Sequence, residues 1–169
     1  MKYLIVLILI LVYISFGNEL GYTDTSPLYT HLTYMFQHAS ALHLLINSLA
    51  FIGIYTSLEK HMNRWIFLGL SSGCAVLASF GAMHGEPTVG ISGTVYVMTG
   101  LYTGITLLDK HIKIADTRKY LLYICCIVIF LSVSFIKGNS NFLLHLYSLV
   151  TGMVISIPVT KIKSYANPD

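Results

Sequence analysis

Residues 90–108 read GISGTVYVMTGLYTGITLL, a run without a charged side chain. At ~1.5 Å rise per residue, a helix of this length comes close to crossing a hydrocarbon core about 30 Å thick. Working outward, further apolar runs fall at about 2–17, 39–58, 65–83, 120–136 and 142–159. Polar breaks separate them: Glu59-Lys60, then His84-Gly85-Glu86-Pro87, then Asp109 to Lys119, then Lys137-Gly138-Asn139-Ser140-Asn141. Each break holds charge, or the Gly, Pro and Asn chemistry that interrupts a helix. The expected fold is all-α: a polytopic membrane bundle of six transmembrane helices, with residues 1–169 forming one membrane domain.

Composition agrees. The chain has 169 residues, of which 55% are apolar and 10% charged, and its mean hydropathy is +0.72. Soluble domains carry about a quarter charged residues, and this chain cannot supply such a polar shell. That excludes an ordinary soluble enzyme, a disordered tail and a nucleic-acid binder. The net charge of +3 is too small for a surface that tracks phosphates. Cys74, Cys125 and Cys126 lie inside apolar runs with no Cys-x-x-Cys pair, and read as buried small residues. The seven histidines are scattered. No metal and no cofactor is expected.

The first run reads either as a retained helix or as a cleaved signal segment, with Ser15-Phe16-Gly17 as a small-x-small site. Residues 18–38 are rich in Tyr and Thr and read as a loop outside the hydrocarbon or in its interface. With the N-terminus inside and the spans alternating, the inner side holds Lys2, Lys60, Arg64, Lys110, Lys113, Arg118, Lys119, Lys161 and Lys163. The outer side holds Lys137 alone among the cations. Cytoplasmic loops are the ones enriched in Lys and Arg. Both termini are therefore expected in the cytoplasm, in a multi-pass protein of the cell membrane.

Polar groups inside spans are costly and mark candidate sites. His43 and Asn47 stand at i, i+4 on one face of the second span, Ser92 opens the fourth, and His145 lies near the start of the sixth. These three spans run from outside to inside, so the four side chains share one depth near the outer end. A hydroxyl and an imidazole that can meet are the minimum for nucleophilic acyl transfer. An amide and a second imidazole can serve an oxyanion. Each residue alone has an ordinary reading: a helical Ser bonds its own helix carbonyl, and an Asn glues helices together. Their common depth favours a site. Gly93, Gly100 and Gly104 on one span, with His145, Ser148 and Gly152 on another, form small-residue stripes that allow close helix packing. A transporter or channel would want charges or broken helices at midplane, and none occurs in these runs.

From about Thr33 to Gly152 the chain resembles the rhomboid intramembrane serine proteases. His38-Ala39-Ser40 followed by His43-Leu44-Leu45-Ile46-Asn47 is similar to the family's His-rich lead-in and His-x-x-x-Asn motif. Gly90-Ile91-Ser92-Gly93, Tyr96 and Gly100 are similar to its Gly-x-Ser-Gly-x-x-Tyr-x-x-x-Gly pattern. The resemblance implies Ser92 as nucleophile and His145 as general base, a dyad without an acid. It implies an oxyanion site from the Ser92 N–H, His43 and Asn47, with Tyr96 stacked on His145. Gly90, Gly93, Ser148 and Gly152 would allow close approach, and His38 reads as structural. Implied partners are transmembrane protein substrates, cut near the outer face of the lipid bilayer, with no metal and no nucleic acid. A catalytically inactive client-binding relative is the alternative. The chain departs from the family at three places. Tyr29-Thr30 stands where Trp-Arg is usual. Ser148 replaces a Gly. Phe142, with Asn141 beside it, stands where an Asn is usual three residues before His145.

Overall fold

The computed structural model describes residues 1–16, 19–82, 85–109, 117–136 and 141–166. The described residues form α1 (Lys2–Ser15), α2 (Thr30–Thr33), a 3₁₀ turn at Tyr34–Phe36, α3 (Ala41–Leu58), α4 (Arg64–Phe80), α5 (Ser92–Leu108), α6 (Thr117–Ile136) and α7 (Phe142–Ala166). The six long helices fall on the six apolar runs. The protein is an all-helical membrane bundle, and an isolated bridge between Tyr22 and Thr88 is the extent of β pairing among the described residues. α3 and the stretch Phe142–Ile162 of α7 are long and apolar enough to cross a bilayer unaided, with mean hydropathies of 1.6 and 1.8. The polar breaks at 83–84, 110–116 and 137–140 lie outside the described residues, with Lys110, Lys113 and Lys137. So do Gly17 and the side chains of Arg118, Lys119 and Lys163.

Local chemistry sets the helix starts. Ser40 accepts the His43 N–H at 3.2 Å, and Asn63 accepts the Trp65 N–H at 2.9 Å. Asn141 does the same for Leu144 at 3.0 Å. Each cap satisfies one of the donors that a helix N-terminus leaves without an intrahelical partner.

α5 sits at the centre. Its Thr94, Thr99, Thr103 and Thr106 are buried together with Met98, Leu101 and Ile105. α3, α4 and α7 pack around it. The seam with α7 is tight because it is built from glycine. A Cβ at Gly100 would run into the Leu149 carbonyl, and one at Gly104 into the Ser156 hydroxyl. A Cβ at Gly152 would meet the Val97 carbonyl. The two backbones therefore approach closely, as small residues permit in membrane helices.

α1 packs against α3. Its Leu9 is buried in the main core beside Phe51, Tyr55 and Leu58. Lys2 donates to Glu59 at 2.7 Å and to Thr56 at 2.8 Å, so the start of α1 and the end of α3 share one end of the bundle.

Two readings need correction. Cys74 is buried as expected, but Cys125 and Cys126 are exposed. The reason is that α6 lies at the periphery, where Leu121, Leu122, Val128 and Ile129 are also bare. In a lipid-facing helix an apolar side chain has no need of a protein core. The segment before α3 is also more ordered than a plain loop. Its Tyr22, Thr30, His31, Tyr34 and Met35 are buried. His31 lies between the rings of Tyr22 and Phe80, at 4.7 and 4.0 Å, and its Nδ1 is 2.7 Å from the Ser79 hydroxyl.

Candidate active site

Ser92 is the first residue of α5, and the turn that presents it is held from outside. Thr88 and Tyr22 exchange backbone hydrogen bonds of 2.9 and 3.2 Å. The Gly90 N–H donates to the Tyr34 carbonyl at 2.9 Å. Gly90 itself has φ +117, a conformation that costs an L-residue strain. At the helix N-terminus, the Ser92 N–H has no intrahelical acceptor and sits at the positive end of the helix dipole.

α7 brings His145. Asn141 fixes the start of that helix by donating to the Ala82 carbonyl at 2.6 Å and to the Thr88 hydroxyl at 3.0 Å. It also donates to the Tyr22 hydroxyl at 3.1 Å. Burial pushes the Tyr22 phenol up to about 12, while its contact with Thr88 pulls the other way, so it stays a neutral partner. One turn on from Asn141, His145 Nε2 lies 2.9 Å from the Ser92 hydroxyl. Tyr96 stacks its ring on the His145 ring at 4.5 Å and 27°. The imidazole is thus held by a hydroxyl at its edge and a ring on its face.

α3 supplies His43 and Asn47. Both close over Gly90: a Cβ built there would lie 3.0 Å from His43 Cε1, 3.1 Å from His43 Nε2 and 3.2 Å from Asn47 Nδ2. Asn47 Nδ2 is buried without a hydrogen-bond partner among the described residues. His38, just ahead of α3, is buried and meets His43 edge-to-face at 5.2 Å. Burial, and after it the neighbouring His43, brings the His38 imidazole down to about 4.

The remaining candidates form the supporting seam. Gly93 lies under the Tyr34 hydroxyl, 2.8 Å from where a Cβ would stand. Ser148 is fully buried, and its hydroxyl has no hydrogen-bond partner among the described residues. Gly152 sits against Val97 on α5. A cavity of about 270 Å³ opens from Ser92, Asn47 and Tyr96 and runs between α3 and α6. Among the described residues, no three His, Cys, Asp or Glu side chains gather as metal ligands.

Three supporting residues are absent from the sequence-based candidates. Asn141 carries a legible signal, because an Asn directly before an apolar run is a helix-start signature. Tyr22 and Tyr34 carry none, since their partners Thr88, Ala75 and Gly90 are distant in sequence.

The arrangement sets a hydroxyl and an imidazole in contact, the pair that acyl transfer requires. The chain belongs to the rhomboid family, whose domain profile matches residues 25–162. It is similar to a protein of Bacillus subtilis (strain 168) named "Putative rhomboid protease YdcA", with 26% identity over 129 residues. The match covers 74% of this chain and 64% of that protein, so this chain spans just under two thirds of the relative's length. Rhomboids are integral membrane proteins, generally serine proteases, that act on transmembrane substrates within the bilayer.

Proposed function

We propose that this protein is an intramembrane serine endopeptidase with Ser92 as nucleophile and His145 as its base. The observation that carries this reading is the 2.9 Å Ser92–His145 pair beneath the stacked Tyr96 ring. Ser92 Oγ attacks the carbonyl carbon of the scissile bond as its proton passes to His145 Nε2. The tetrahedral oxyanion takes hydrogen bonds from the Ser92 N–H, His43 and Asn47. His145 then gives its proton to the leaving amine, and an acyl-enzyme on Ser92 remains. Water attacks that ester with His145 again as base, which restores Ser92 and releases the acid. Asn47 Nδ2, buried without a hydrogen-bond partner among the described residues, fits this scheme: its acceptor would be the oxyanion of the reacting substrate. Removing one oxyanion donor costs about 10²–10³ in rate in soluble enzymes.

The same reading makes residues 1–169 one membrane unit of the cell membrane, with both termini cytoplasmic and Ser92 near the outer face. Substrates are transmembrane proteins whose helix unwinds at the cut, because an intact helix hides its carbonyls from attack. Neither a metal nor a cofactor takes part, and nucleic acid is no partner.

A fluorophosphonate probe applied to the protein in native membranes tests the assignment. Labelling of the wild type, lost in Ser92→Ala and strongly reduced in His145→Ala, is the expected result. A wild type that binds a transmembrane client yet neither labels nor cleaves it would instead mark an inactive client-binding relative.

A further inference from the structure

Thr88 stands four residues ahead of Ser92, and Asn141 four residues ahead of His145. The two are in contact, because the Asn141 amide donates to the Thr88 hydroxyl at 3.0 Å. The Ser92–His145 pair at 2.9 Å and this second pair therefore close a small frame. Both of its sides are stiff. The Ser92 side carries Gly90, held at φ +117 by its bond to Tyr34. On the other side the His145 N–H donates to the Asn141 carbonyl at 3.2 Å, so one closed turn of helix joins the two residues.

One side chain touches both outer corners of the frame. Tyr22 is fully buried, its ring stacked on His31 at 4.7 Å and edge-on to Tyr34 at 4.9 Å. Its backbone pairs with Thr88. Its phenol oxygen meets the Thr88 hydroxyl and accepts from the Asn141 amide at 3.1 Å. The amide has two hydrogens. The Ala82 carbonyl at 2.6 Å takes one, and the hydroxyls of Tyr22 and Thr88 share the other.

Leverage makes the frame matter. Further along both helices, α7 closes on α5 where Leu149 meets Gly100. Leu149 is four residues from His145, about 6 Å along the helix. A tilt of about 10° around that contact carries His145 about 1 Å, and a shift of that size can cost ~10²-fold in rate. The tie between Thr88 and Asn141 lies beyond His145 and opposes such a tilt.

We propose that Tyr22 is a positioning residue for the reaction: its phenol oxygen ties Thr88 to Asn141 and so holds Ser92 and His145 at attacking distance. It touches no reacting atom and acts through the frame. This rests on Ser92 and His145 being the reacting pair.

Tyr22→Phe isolates the oxygen, because the ring keeps its seat against His31 and Tyr34. With a model transmembrane substrate, kcat should fall by about tenfold or more, within what a misplacement of ~1 Å allows, while KM stays near the wild-type value. A second readout needs no turnover. In protein labelled with ¹⁵N-histidine, the His145 Nε2 resonance is assigned by its loss in His145→Ala. In Tyr22→Phe it should move towards the position it takes in Ser92→Ala, where no hydroxyl is offered to it. An unmoved resonance overturns the proposal, as does an active variant with wild-type kcat or with a loss confined to KM. A wild type that neither labels with fluorophosphonate nor cleaves sinks the protease reading, and the resonance still decides whether Tyr22 sets the spacing. Should Tyr22→Phe fail to fold, the corner that the phenol holds gives the same test. Thr88→Val should lose kcat, and Thr88→Ser, which keeps the hydroxyl, should retain it. Equal kcat in these two variants would overturn the proposal.

Discussion

The backbone N–H of Gly90 donates to the carbonyl of Tyr34 at 2.9 Å, two residues ahead of Ser92. A segment that precedes the second span thus sets the height of the fourth. The bond also holds Gly90 at φ +117, with the His43 and Asn47 side chains closed over its α-carbon.

Gly90→Ala therefore tests two effects at once. The backbone strain costs about 1–3 kcal/mol, and the added methyl pushes into the His43 ring and the Asn47 amide. The expected result is a modest loss of thermal stability in detergent, with substrate turnover slowed by about a hundredfold or more, the scale of a lost oxyanion donor. A variant that turns over substrate at a near-normal rate would show that His43 and Asn47 tolerate displacement and so do not act as positioned oxyanion donors.

Asn141→Ala removes a helix cap, leaves the Leu144 N–H without its acceptor and takes from the Ala82 carbonyl its shorter hydrogen bond, the Tyr22 hydroxyl at 3.4 Å remaining. Loss of a cap costs about 1 kcal/mol, and each buried group left unsatisfied about 1–3 kcal/mol. Unfolding in detergent should reveal a destabilisation of about 2 kcal/mol or more. Asn141→Asp should not rescue it, because a carboxylate faces the Ala82 carbonyl with no hydrogen to donate. Full stability in Asn141→Asp would refute this account of the amide.

Ser148 separates packing from chemistry. Its hydroxyl is fully buried with no hydrogen-bond partner among the described residues, on the stripe that carries His145 and Gly152. Ser148→Gly and Ser148→Ala should turn over substrate at nearly the wild-type rate. Ser148→Leu should lose most activity, since a displacement of ~1 Å between Ser92 and His145 can cost ~10²-fold. A large loss in both small variants, with the protein still folded, would make the hydroxyl itself functional.

Orientation is tested by single cysteines in a Cys-free background. Glu86→Cys should react with a membrane-impermeant thiol reagent applied outside intact cells, and Asp116→Cys should react only after lysis. The reverse pattern would invert the site to the cytoplasmic face.

The membrane class and the number of long helices are legible in the chain before it folds. Hydropathy and charge add up residue by residue, so six apolar runs divided by polar breaks need no tertiary information. Ser92, His145, His43 and Asn47 stand out in the same way, because i, i+4 spacing and depth from a span end are one-dimensional quantities. How close these residues come is a matter of packing. The 2.9 Å between Ser92 and His145 depends on the glycine seam of α5 and α7 and on where Asn141 pins α7. The same holds for Gly90, whose φ is imposed through Tyr34, and for Cys126, which is exposed because α6 is peripheral. These are contacts between residues tens of positions apart. Their energies depend on distances that no local pattern encodes, and they exist once the helices have packed.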